Sequence, residues 1–97
     1  MATYIVLGDW TQHGVANFEQ TVDRYDAGLS QMEALGVSVK DRYWTLGNHD
    51  QVSIIDAPND ETLAAAMLKL TSQGSFRTTT LRAFSADEMR ALIAKVT

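Results

Sequence analysis

Tyr43-Trp44-Thr45-Leu46-Gly47-Asn48-His49-Asp50 separates two β-rich runs, Val37 to Leu46 and His49 to Ala57, and its reading decides the fold. Gly47 and Asn48 both tolerate positive φ, so they read as a two-residue turn at a hairpin tip. Such a turn pairs Leu46 with His49, Trp44 with Gln51 and Tyr43 with Val52, and this register fixes which side chains share a face. One face then carries Val39, Tyr43, Val52 and Ile54. The other carries Lys40, Arg42, Trp44, Leu46, His49, Gln51, Ser53 and Ile55. The first set is the more apolar and is expected to lie under helices. The second holds Trp44, Leu46 and Ile55, too apolar for water, and is expected to pack sheet-on-sheet against a second copy of the chain.

Outward from the hairpin the periodicities are clear. Tyr4 to Trp10 alternates large apolar groups on both faces, the pattern of a central strand covered on both sides. Phe18, Val22, Tyr25, Leu29, Met32 and Leu35 recur at steps of three and four, an amphipathic helix that Gly36 should end. Pro58-Asn59-Asp60 breaks the second hairpin strand and caps a helix whose core face is Leu63, Ala66, Met67 and Leu70. Phe76 to Phe84 is Thr-rich and β-branched, a fourth strand. Ser85-Ala86-Asp87-Glu88 fits a capping box and starts a last helix with Met89, Leu92, Ile93 and Val96 inward.

This order specifies an α+β fold: a ferredoxin-like βαββαβ sandwich with a four-stranded antiparallel sheet and a C-terminal helix. The first and third strands are expected to be adjacent and parallel. That would hold Asp9 and Asp50 a strand length apart and rule out a carboxylate pair.

Composition narrows the function classes. The 97 residues make one domain, 1–97, with 45% hydrophobic and 21% charged residues. Cysteine is absent, which removes disulfides, thiol catalysis and thiolate metal sites. The net charge is −4 and the eight Lys and Arg are scattered, so no nucleic-acid partner is expected. The N-terminus has no basic run before its short apolar stretch, which reads as a strand in a cytoplasmic protein with no membrane association. No His and carboxylate spacing suits a metal, and no cofactor is implied.

Three blocks, Ala2-Thr3-Tyr4-Ile5-Val6-Leu7-Gly8, Tyr43 to Asp50, and Arg77-Thr78-Thr79-Thr80-Leu81-Arg82-Ala83-Phe84, resemble those of GYD-domain proteins over almost the full length. The resemblance implies a ferredoxin-like fold of the dimeric α/β-barrel type and no assigned activity. The family motif runs Gly-x-Tyr-Asp. Gly47, Asn48 and Asp50 fit it, while His49 stands where Tyr is expected and supplies a group that titrates near neutrality.

His49 is the candidate catalytic acid or base, against the plainer reading of a surface histidine with no fixed partner for its second nitrogen. Candidate ligand-binding residues are Trp44, Tyr43, Arg82, Thr80 and Asp50. Arg82 would anchor an anionic group, with Thr78 and Thr80 beside it on the last strand, in a cavity between sheet and helices. The plain reading of Arg82 is a salt bridge to an acidic helix residue, and that of Asp50 is a turn held by backbone N–H groups. The expected function is a small homo-oligomeric module that binds a small organic ligand. The alternative is a cofactor-independent enzyme of oxygenase or isomerase type using His49.

Overall fold

The computed structural model describes residues 1–97. Its elements are β1 (Ala2–Trp10), α1 (Gln12–Ala16), a 3₁₀ turn (Phe18–Gln20), α2 (Thr21–Ala34), β2 (Ser38–Trp44), β3 (Gln51–Ala57), α3 (Asp60–Thr71), β4 (Phe76–Ala83) and α4 (Ala86–Val96). The strands form one antiparallel sheet in the order β2-β3-β1-β4. Both long helices, α2 and α3, cover the same face. Between them and the sheet lies a core that includes Tyr4, Val6, Tyr25, Met32, Ile55 and Leu63.

The helical stripe expected from Phe18 to Leu35 is shorter than its spacing suggests. Thr11 caps α1, its side chain accepting from the Gly14 N–H, and a 3₁₀ turn holds Phe18 before α2 begins at Thr21. Phe18, Val22 and Leu35 are therefore exposed, while Tyr25 and Met32 carry the buried face. Gly36 does end the segment, with φ of 94°, a conformation that favours glycine.

β1 runs antiparallel to β3, with Tyr4 opposite Ile55 and Gly8 opposite Gln51, which corrects the parallel pairing expected above. In a split β-α-β unit the strand inserted between two parallel strands runs against both. Asp9 and Asp50 consequently meet at one rim of the sheet.

The faces of the hairpin are also opposite to expectation. Gln51, Ser53, Ile55 and Ala57 of β3 are buried under the helices, while Val52, Ile54 and Asp56 point to the uncovered side. Two physical causes combine. A β-bulge between Val39 and Asp41 inserts Lys40, so Val39 pairs with Ile55 on the helix face while Asp41 and Tyr43 point away from it. The polar side chains of β3 also satisfy one another inside: Gln51 Nε2 donates to Ser53 Oγ at 2.8 Å, and that hydroxyl bonds the Tyr25 hydroxyl at 2.5 Å. Burial pushes the Tyr25 phenol up, more than its hydrogen bonds and the nearby Arg42 guanidinium bring it down.

The side without helices is an apolar sheet surface. Cross-strand neighbours Ile5 with Ile54 and Leu81, and Leu7 with Val52, form its centre, and Tyr43 and Leu81 are exposed on it. α4 has a complete capping box, with Ser85 Oγ accepting from Glu88 N–H at 3.1 Å and Glu88 Oε1 accepting from Ser85 N–H at 2.9 Å. It does not pack inward, however. Met89, Ile93 and Val96 are exposed and none of its residues is buried.

Candidate functional site

The turn chemistry of the hairpin brings the first group of site residues together. The tip is not a two-residue turn. β2 stops at Trp44, β3 starts at Gln51, and Thr45 N–H donates to the Asp50 carbonyl at 2.9 Å across the wider loop between them. Of the expected turn pair only Gly47 takes a positive φ, at 122°. The loop is held open by β1. Asp50 N–H donates to the Gly8 carbonyl at 2.9 Å, and Asp50 Oδ2 accepts from the Trp10 N–H at 2.9 Å. His49 Nδ1 bonds Asp9 Oδ1 at 3.0 Å.

His49 thus has the fixed partner that the sequence did not reveal. Asp9 was hidden because its approach depends on the antiparallel direction of β1 and β3. The half-buried Asp9 carboxylate favours the tautomer with hydrogen on Nδ1, which leaves Nε2 as the free acceptor. Asp50 serves as a clamp on the N–H of Trp10, in keeping with its plain reading. Neither Asp50 nor His49 reaches the cavity described next.

The second group lies along the outer strand. A cavity of about 600 Å³ opens between α3 and β4. Its floor is Tyr4. One wall is the Ala64, Met67 and Leu68 side of α3, and the other is Thr78, Thr80 and Arg82. The period of two in β4 puts these last three on one side, as the alternation of the sequence implied. At one end Tyr4 and Arg82 are direct cross-strand neighbours, and the Tyr4 hydroxyl donates to Asp60 Oδ1. That hydrogen bond to a carboxylate, more than burial, pushes the Tyr4 phenol up.

Arg82 makes no salt bridge, which removes its plain reading. Its Nη1 donates to the carbonyls of Thr3 (3.2 Å) and Ala83, and its guanidinium lies 5.6 Å from the Tyr4 ring centroid and 4.5 Å from that of Phe84. The group is positioned by neutral partners and forms no direct ion pair. Its charge is nevertheless felt by Glu88 of α4: the Ser85 hydrogen bonds hold that carboxyl below its ordinary range, and Arg82 helps to do so.

Trp44 and Tyr43 belong to neither group. Trp44 points under the helices, donating from Nε1 to Thr21 Oγ1 at 3.0 Å and packing edge-on against Tyr25 at 5.9 Å. Tyr43 is on the uncovered face. Both keep the expected partners, Gln51 and Val52, and it is the face lying under the helices that differs from expectation. Sequence reading also missed Tyr4 and Asp60 as cavity residues. Tyr4 read only as one face of a central strand, and Asp60 only as one of two possible caps of α3; of these Asn59 is the cap, accepting from Thr62 N–H at 2.8 Å.

The GYD domain profile matches residues 4–93. The chain belongs to the GYD-domain family. This GYD-domain protein is 35% identical over 92 residues to a Thermus thermophilus protein named glutamine synthetase and cystathionine beta-lyase binding protein, covering 94% of this chain and 97% of that one. Among solved structures it is similar to TTHA0845, also of Thermus thermophilus, at 25% identity and a TM-score of 0.58, covering 89% and 96% of the two chains.

It is also similar in fold to the 5-chloro-2-hydroxyhydroquinone dehydrochlorinase TftG of Burkholderia phenoliruptrix AC1100. The TM-score is 0.61 and the identity 16%, covering 90% of this chain and 97% of that one. The chain therefore has a ferredoxin-like α+β fold, shared with these structures. No helix in it is long and apolar enough to cross a membrane.

Proposed function

We propose that this GYD-domain protein is a cytoplasmic homodimeric binding module that holds a small organic ligand in the α3–β4 cavity. The observation that carries the assembly is the uncovered sheet face. Ile5, Leu7, Val52, Ile54 and Leu81 form a contiguous apolar surface. Covering the part of these side chains that solvent still reaches stabilises association by about 25 cal/mol per Å². The unpacked apolar stripe of α4 adds to the surface that a second copy can cover. The name of the Thermus relative describes binding of other proteins; this reading shares binding with it, but assigns the cavity a small molecule.

Sedimentation equilibrium at micromolar concentration tests it. A dimer mass is expected, and Ile54→Lys, which places a charge at the centre of the face, should weaken association by about 100-fold or more. A monomer mass for the unmodified chain overturns the assembly.

A second reading, acid–base chemistry at His49, is favoured by one observation, the Asp9 contact to Nδ1. A carboxylate-oriented imidazole with a free Nε2 is the arrangement a general base needs. Long-range ¹H–¹⁵N spectra of the neutral ring should show hydrogen on Nδ1, and Asp9→Asn should shift the tautomer balance. Hydrogen on Nε2 in the unmodified chain removes the base and with it this reading.

A further inference from the structure

We infer that the ligand of the α3–β4 cavity is a free α-amino acid with an aliphatic side chain, its carboxylate on Arg82 and its ammonium on Asp60. The inference rests on the reading of this cavity as a small-molecule site and specifies what it selects. One end of the cavity carries one charge of each sign, and the fold pairs neither of them ionically: Arg82 and Asp60 take part in none of the ion pairs. Both are positioned all the same. Two main-chain carbonyls take Arg82 Nη1, which leaves Nη2 and Nε free to donate. The Tyr4 hydroxyl takes Asp60 Oδ1, which leaves Oδ2 free to accept.

Both charges border the ring of Tyr4: its hydroxyl holds Asp60, and the Arg82 guanidinium lies 5.6 Å from its centroid. A head group with ammonium and carboxylate on one carbon offers one hydrogen-bonding partner to each of them. Charge excludes the simpler candidates. A plain carboxylate satisfies Arg82 and meets Asp60 as a like charge, and a plain amine does the reverse. Only a zwitterion satisfies both ends at once. Beyond the head, Ala64, Met67 and Leu68 present an apolar wall to the side chain.

Titration calorimetry with three probes of one carbon skeleton tests this: L-leucine, 4-methylpentanoate, which lacks the ammonium, and 3-methylbutan-1-amine, which lacks the carboxylate. Leucine should bind at least about tenfold tighter than either half. Arg82→Gln should bring leucine down to the level of the amine, and Asp60→Asn to the level of the acid.

Two outcomes overturn the zwitterion and are distinguishable. If the acid binds the unmodified chain as tightly as leucine and Arg82→Gln abolishes it, the cavity remains a ligand site and the inference fails. If none of the three gives heat up to about 10 mM, the ligand reading fails as well, and the sedimentation result stands separately. The probe series on the unmodified chain decides even where a variant does not fold.

Discussion

Ile55→Ala is expected to destabilise the fold by about 2–5 kcal/mol, whereas Ile54→Ala, one residue earlier, should cost the monomer no more than about 1 kcal/mol. The two side chains are chemically identical, so the difference isolates the environment. Ile55 is 1% exposed, among the most buried side chains of the core, and Tyr4 and Val39 are its cross-strand neighbours beneath the helices. Its truncation leaves a void that close-packed neighbours fill only in part. Ile54 is half-buried on the face without helices, where solvent already reaches the side chain. Urea unfolding of both variants, at a concentration low enough to keep the chain monomeric, measures the pair. Equal losses would mean that the faces of β3 are assigned wrongly.

Gly14→Ala is the second large effect, expected to cost about 3 kcal/mol or more. Gly14 is buried in α1, and a Cβ there would fall inside van der Waals contact of the Ser75 carbonyl oxygen and 2.9 Å from its carbon. The obstacle is backbone, which cannot rotate away as a side chain can. It is also fixed in place: Thr11 N–H donates to the Ser75 carbonyl at 3.1 Å, and the Thr11 hydroxyl donates to the Gly74 carbonyl. Relief therefore requires α1 to separate from the segment that joins α3 to β4. Thermal unfolding by circular dichroism measures the loss, and a variant as stable as the parent would refute the close approach.

The sequence carried most of the fold because each long element declared its period. The stripe from Tyr25 to Met32, the Asn59 cap, the Ser85 to Glu88 box and the alternation along β4 all appear where the residues indicate. The hairpin misled for reasons that are physical and local. Hydropathy ranks Val52 and Ile54 above Gln51 and Ser53 as core. The ranking fails because Tyr25, from a distant helix, satisfies Ser53, which in turn accepts from Gln51. The Lys40 bulge then carries Val39 across to the helix face, and no composition signal marks a bulge.

The site divided in the same way. Thr80 and Arg82 are legible because they share a strand and a period. Asp60 and Tyr4 are far apart in sequence, and only the docking of α3 joins them. The Asp9 contact to His49 likewise depends on strand direction.

α4 has a consequence for how the molecule responds to its own abundance. An isolated helix of eleven residues is marginal in water even with a good cap. Nothing else in the domain leans on this one, so it can unravel without loosening the sheet. Its helicity and the occupancy of whatever covers Met89, Ile93 and Val96 are then a single coupled equilibrium. In the proposed dimer, dilution that separates the subunits would dissolve the C-terminal turns as well, and part of the association energy would be spent rebuilding them. The affinity of that proposed dimer would then be lower than the surface it buries implies.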